Sequence, residues 1–459
     1  MLSKNRLLLT VSVLAVSTIL MQASALSQSL EETLAMAYEN NPSIQAQRAT
    51  LRSIDETVPQ ARGGWRPTVD LNGSAGFIKP NFNGNNTSRD FYSTGVGITQ
   101  NVYAGGGTEA AIQQAESDVL ASRARLHSVE QSVLLQAVTA YMNVLRDESV
   151  LELNIQNEIR LQRQLEATSD RFEVGEVTRT DVAQAESRVS GAQADRIASE
   201  GILNVSKAFF KQVVGTEPVN LTSPNINPVL PKSLAESISL AQNKNPDIQA
   251  LVNDRDSAQA EITIQQADLL PSINLTGDAD YRRDVSANDL RGNDLTVAAA
   301  ISIPLYQAGI ATSQVRQAKQ LVGVSNRQIE DTTRKTIELA TSAWETLQTQ
   351  QARIVSFKDQ VRATSIALDG VEQEAAVGSR TVLDVLDAEQ ELLDARVNLV
   401  RTRRDEIVAR FELLNAVGGL SAREIGLVVE AYDEAAHYNK VKDEIWGISD
   451  ALDDETPKN

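Results

Sequence analysis

Thr68-Val69-Asp70-Leu71-Asn72-Gly73-Ser74-Ala75-Gly76-Phe77-Ile78 alternates apolar with polar or small residues. In an extended chain Val69, Leu71, Ala75 and Phe77 fall on one face, and Asp70, Asn72 and Ser74 on the other. The pattern recurs in Tyr92–Val102, in Ser272–Tyr281 and in Leu295–Leu305. Period-two alternation over about ten residues marks a strand with lipid on one face and water on the other, and about 9–11 residues suffice to cross a bilayer. A soluble antiparallel sheet with one wet face makes the same pattern in any single strand. Here four such strands fall into two hairpins, joined by polar Asn/Gly-rich loops at 80–88 and 282–293, which favours the barrel wall. Pro304 cannot donate to a ladder and marks where the fourth strand leaves the membrane.

The hairpins belong to a duplication. Ser29-Leu30…Asn41-Pro42-Ser43-Ile44-Gln45-Ala46 returns 204 residues later as Ser233-Leu234…Asn245-Pro246-Asp247-Ile248-Gln249-Ala250. Val174-Gly175 with Thr180-Asp181-Val182 returns 203 residues later as Val377-Gly378 with Leu383-Asp384-Val385. Two long copies are too few for a solenoid. They make a duplicated half-protein: repeat one over 26–230, repeat two over 231–430, and a C-terminal segment with an acidic tail over 431–459.

Residues 1–25 read as a secretory leader. Lys4 and Arg6 form a basic start, 7–20 an apolar core, and Ala23-Ser24-Ala25 a small-residue cleavage site. Losing those two cations takes the formal charge from −18 to −20. A chain this acidic does not bind nucleic acid by neutralising phosphates. The absence of cysteine excludes disulfides, thiol chemistry and a thioester-linked lipid anchor.

Thr108 to Val174 contains neither glycine nor proline, and Ala311 to Val377 contains no proline and only Gly323 and Gly370. Helices of that length run on the order of 100 Å. Each meets a glycine (Gly175, Gly378) suited to a left-handed helix end, then resumes over about 180–214 and 381–417. The spacing predicts two long antiparallel helical hairpins. A fibrous coiled coil or adhesin-type stalk accounts for these helices but leaves the β-hairpins unexplained.

Leader, duplication, β-hairpins and helical hairpins together resemble the TolC family of outer-membrane efflux channels, over about 26–447. The most specific match is Val377-Gly378-Ser379-Arg380-Thr381-Val382-Leu383-Asp384-Val385-Leu386-Asp387-Ala388-Glu389, which is similar to the family's periplasmic-tip signature. The Asn-Pro-x-Ile segments, the strand-to-helix junctions Tyr103/Gly106 and Tyr306/Gly309, and the ending Ala436-His437-Tyr438…Trp446-Gly447 also match. Four strands cannot close a membrane barrel, because the smallest have eight and open edges cannot face lipid. The resemblance implies a trimer, with a twelve-stranded outer-membrane β-barrel continued by an α-helical barrel across the periplasm. It also implies a passive export duct for drug efflux or type I protein secretion, with a periplasmic adaptor and an inner-membrane transporter of the RND or ABC type as partners.

The resemblance assigns roles at the tip. Asp384 and Asp387 would line a carboxylate ring at the periplasmic entrance, where crowding favours cations and raises carboxylate pKa values. Without the motif, the two are an ordinary acidic helix start. Asp181 and Arg380 would form a gate latch between neighbouring hairpins; exposed pairs are worth only about 0–1 kcal/mol, which suits a releasable bond. Val174, Gly175, Val377, Gly378 and Ser379 would dock the adaptor. Ala375 stands where a relative's gate tyrosine does, so one latch hydrogen bond is expected to be missing. Only the second repeat carries paired aspartates, because Gln184 aligns with Asp387.

Gly105-Gly106-Gly107-Thr108 lacks the lysine and spacing of a phosphate loop. His127 and His437 are far apart in sequence and outside any metal motif. No cofactor and no enzymatic activity are expected.

Overall fold

The computed structural model describes residues 27–447, apart from Pro80, Asn83, Gly84, Thr87, Asn225, Asn227 and residues 286–289. The leader and the tail after Gly447 lie outside the described residues. The first half runs α1 (Leu30–Asn40), α2 (Pro42–Asp55), α3 (Thr57–Arg62), β1 (Thr68–Ile78), the short pair β2 (Asn81–Phe82) and β3 (Asn85–Asn86), β4 (Arg89–Ala104), α4 (Gly107–Glu173) and α5 (Arg179–Val214). The second runs α6 (Leu234–Lys244), α7 (Pro246–Ala267), β5 (Ser272–Val285), β6 (Leu290–Ser302), α8 (Ile310–Ala376), α9 (Val382–Ala416) and the short α10 (Ala436–Val441).

The repeated Asn-Pro pairs work as helix punctuation. Asn41 ends α1 and its side-chain oxygen caps α2 by accepting from Ser43 N–H at 2.9 Å; Asn245 does the same for α7 through Asp247 N–H at 3.0 Å. Each following proline takes the first helical position, where no N–H is needed. Ser29 and Ser233 cap the preceding helices.

The four long strands form one antiparallel sheet in the order β1-β4-β5-β6. Its cross-strand rows alternate in character. Leu71–Val96–Ala279–Leu295 and Val69–Ile98–Gly277–Val297 lie on one face; Asp70–Gly97–Asp278–Thr296 and Asn72–Gly95–Asp280–Asp294 lie on the other. The aliphatic side chains of the first face are exposed. Among the described residues no helix is long and apolar enough to cross a membrane; the apolar surface lies on the sheet. β1 and β6 are its two edges, each paired on one side within the chain.

Two boundaries differ from the sequence reading. The loop expected over 282–293 is mostly ladder: Arg282↔Gly292 and Arg283↔Arg291 pair as strand, because backbone pairing continues where apolar alternation stops. The fourth strand ends at Ser302 rather than at Leu305, since Pro304 supplies no ladder donor.

α4 and α8 are each 67 residues long, about 100 Å at 1.5 Å per residue. They return as α5 and α9, and Gly323 and Gly370 sit inside α8 without breaking it. The main core is a girdle partway along the hairpins. There Leu30 and Leu34 of α1 pack with Tyr141 of α4, Phe210 of α5 and Phe411 of α9. Buried Tyr141 places its hydroxyl 2.9 Å from Gln28 O and 2.6 Å from Thr222 O, tying the connecting chain to α4.

The C-terminal segment wraps this region. The Arg48 guanidinium sits 4.8 Å from the rings of both Tyr38 and Tyr432. His437 Nδ1 lies 3.0 Å from buried Asp55. His127 lies between Glu130 and Glu434, whose carboxylates push its pKa up to about 10.

Gly105, at the strand-to-helix junction, has φ +61°, and an added Cβ would lie 2.8 Å from Ala267 O and from Leu270 Cβ. Gly105→Val is therefore expected to destabilise the fold by about 1–3 kcal/mol. A lower midpoint in thermal denaturation of the detergent-extracted protein is the outcome that checks it.

Candidate functional site

The ends of the two helical hairpins farthest from the sheet fold alike. Gly175 (φ +83°) and Gly378 (φ +77°) take the left-handed conformation that closes a long helix. Gly175 N–H donates to Phe172 O and Glu176 N–H to Arg171 O, both at 2.9 Å. Gly378 N–H donates to Ala375 O at 3.1 Å and Ser379 N–H to Glu374 O at 2.9 Å. At each turn this pair of hydrogen bonds satisfies carbonyls at the end of α4 or α8 and reverses the chain in about five residues. Val174 and Val377, next to the glycines, are exposed apolar tips.

Each returning helix starts with a capping box. Asp181 N–H donates to Thr178 Oγ1, and Thr178 N–H donates back to Asp181 Oδ2 at 2.8 Å; Thr381 and Asp384 repeat the arrangement with 2.9 Å for the return bond. These bonds from Thr178 and Thr381, backbone first and hydroxyl second, hold both carboxyls below the usual carboxylate range. Within one chain Asp384 is thus shifted down, whereas the crowding expected from sequence needs several chains.

The ion pairs of the two tips are reversed in sign. At the first, Arg171 of α4 meets Glu176 of the turn at 3.1 Å; at the second, Glu374 of α8 meets Arg380 of the turn at 2.8 Å. Among the described residues of one chain, Asp181 and Arg380 are not partners of each other. Near the tip an ion pair does join the hairpins, Arg188 of α5 to Asp387 of α9 at 2.5 Å. The sequence reading does not single out Arg188. Its signal is the sign change at aligned positions, Arg188 in repeat one against Glu391 in repeat two.

Beside that bond the hairpins share a small apolar seam, Leu161 and Ala192 of the first against Val382 and Leu386 of the second. Glu389 follows on α9. It is 5% exposed and its Oε2 lacks a hydrogen-bond partner. Burial raises its pKa, Glu372 of α8 adds to the rise, and Arg160 of α4 opposes it. The repeat-one equivalent, Glu186, is exposed.

At the other end of the hairpins, Gly106 (φ +85°) and Gly309 (φ +78°) begin α4 and α8. Tyr103 follows a bulge in β4 and pairs with Ile273, while Tyr306 lies beyond β6 and is exposed. Ala308 (φ +50°) takes the left-handed place that Gly105 holds in the first repeat.

An amphipathic sheet with two open edges, continued by helical hairpins of this length, defines an outer-membrane channel. A profile of the family described as "Outer membrane efflux protein" matches residues 33–216 and 237–419, one copy per repeat. The chain belongs to the outer membrane efflux protein family. It is 34% identical over 445 residues to the outer membrane efflux protein BepC of Brucella suis, covering 96% of both chains. It is 27% identical to the outer membrane protein TolC of Vibrio cholerae, covering 87% of this chain and 92% of that one. The crystal structure of the CmeC outer membrane channel of Campylobacter jejuni shares the fold at a TM-score of 0.79 and 14% identity, covering 90% of this chain and 89% of that one. The protein is an efflux channel of the outer membrane that extends into the periplasm, and its family is one of ducts rather than enzymes.

Because the folded pKa of Glu389 is raised, the stability this group contributes is complete below its ordinary value near 4.5 and is lost as pH rises through the folded pKa. Glu389→Gln is expected to raise the thermal midpoint at neutral pH and to leave it unchanged near pH 4. A midpoint unaltered at both pH values would contradict the account of the seam.

Proposed function

We propose that three copies of this chain form a passive export duct, closed at rest by the hairpin tips and opened when partners part the hairpins. The observation that carries the reading is the four-stranded sheet, apolar on one face and unpaired at both edges. Three sheets supply twelve strands. Two supply eight, a barrel whose interior side chains fill.

The tip supports a two-state gate. The seam between the hairpins is thin, four buried apolar residues and the exposed Arg188–Asp387 pair. Such a pair is worth about 0–1 kcal/mol. A partner with modest differential affinity for the parted form can shift that equilibrium. Asp387 is masked by Arg188 in the closed form and released when the seam parts. Asp384 and freed Asp387 from three chains then make a cation-favouring entrance. Asp181 and Arg380 are proposed to meet between neighbouring chains, in competition with their partners in one chain, Thr178 and Glu374. Ala375 carries no hydroxyl, so the Arg188 bond bears more of the closure.

Val174, Gly175, Val377, Gly378 and Ser379 form the proposed docking points for a periplasmic adaptor. The two exposed valines beside rigid turns support this, as apolar contact surface on a preorganised frame. The energy comes from an inner-membrane transporter of the RND or ABC class. Efflux is supported by the likeness to the outer membrane efflux protein BepC across nearly the whole chain, and type I secretion by the likeness to the protease secretion proteins AprF and PrtF.

Arg188→Ala is expected to raise the open fraction in planar-bilayer recordings by up to about fivefold, the equivalent of ~1 kcal/mol. An unaltered open fraction would remove the seam bond from the gate. The double change Asp384→Asn with Asp387→Asn should lower cation selectivity, read as a shift of reversal potential toward zero in a salt gradient. An unmoved reversal potential would refute the carboxylate entrance.

A further inference from the structure

Near the end of the described residues, the C-terminal segment carries two large apolar side chains that no described residue of their own chain covers. Ile445 is 77% exposed and Trp446 is 94% exposed. They are not on a free end. Arg62 donates to Lys442 O at 3.3 Å and pairs with Asp443, and Arg66 Nη1 donates to Glu444 O at 2.7 Å. Arg66 lies two residues before the first residue of β1. The segment is therefore a strap that holds Ile445 and Trp446 beside the base of one sheet edge.

The other edge leaves a matching patch. β6 ends at Ser302, and in the chain that follows Leu305 is 93% exposed and Tyr306 is 89% exposed. β1 begins and β6 ends at the same rim of the sheet, the rim next to the long helices. Within one chain β4 and β5 separate the two edges, so the two patches are kept apart by roughly three strand spacings of about 4.8 Å each. Closing a barrel joins β1 of one chain to β6 of the next, antiparallel, base beside base. The strap at the base of β1 then meets the segment leaving the neighbour's β6.

We propose that Ile445 and Trp446 of each protomer pack on Leu305 and Tyr306 of the adjacent protomer, a staple beneath the barrel seam. The inference rests on the trimeric reading above. A second copy is favoured over lipid because Arg62 and Arg66 tie the strap to the base of β1, the open edge that a neighbour's β6 must pair, so the apolar pair lies in line with that seam. Trp446 and Tyr306 are also of the aromatic type enriched among the anchors of protein interfaces.

The chain has no cysteine, so introduced thiols report without background. The test is the full-length protein carrying Trp446→Cys with Tyr306→Cys, and independently Ile445→Cys with Leu305→Cys. Each is treated in isolated outer membranes with a short bismaleimide, and the oligomeric state is read in parallel by native mass spectrometry. Conversion of most of the protein to covalent dimers and trimers with the pairs, and not with the single variants, is the expected result. Intact trimers that yield no interchain product with either pair would overturn the staple. So would a nitroxide at position 446 that reports bilayer depth, assigning the residue to lipid. If the particles are not trimers, it is the trimeric reading that fails, and native mass separates that case from the others.

Discussion

Hydrocarbon offers no partner for a backbone N–H or C=O, and each unpaired group there costs several kcal/mol. The four-stranded sheet has an apolar face suited to lipid and two open edges, β1 and β6. A chain built this way is stable in a membrane only when neighbours pair both edges. Much else in the structure follows from that demand. The 67-residue helices continue the same wall into the periplasm, and the junction glycines take the left-handed turns that carry strand into helix. The C-terminal segment packs on the girdle through Tyr432 and Tyr438 and then reaches the base of an edge strand.

The duplication supplies wall, and its departures from symmetry supply control. Both repeats use the same Asn-Pro break, the same capping boxes and the same glycine-closed turns. At the tips they part. Arg171–Glu176 in one is answered by Glu374–Arg380 in the other, with cation and anion exchanged between long helix and turn. Gln184 in one stands against Asp387 in the other, and only Asp387 reaches across to Arg188 of the other hairpin. Exposed Glu186 aligns with buried Glu389. A perfectly repeated chain would have two equivalent tips and no such directed bond between them.

Strands and long helices were legible because their patterns are local. Alternation located β1 at Thr68–Ile78, and the glycine- and proline-free run located α4 within a residue at each end. The second loop is shorter than its sequence suggests, because Arg282, Arg283 and Asp284 break the apolar pattern without breaking the ladder. The role of Arg188 is not legible for a different reason: its partner lies 199 residues away, and only packing of α5 against α9 brings them together. Burial of Glu389 was likewise hidden, since its aligned twin is exposed. The C-terminal motif was visible as residues, but its place at the foot of β1 depends on Arg62 and Arg66, more than 370 residues earlier.

Edge pairing between chains is the claim on which the remainder stands. Its most direct measurement is the native mass of the protein extracted from outer membranes in mild detergent. A single species of three mature chains, with no exchange to monomer on dilution, is the result this structure predicts. A stable, monodisperse monomer, or a closed assembly of any other number of chains, would contradict it.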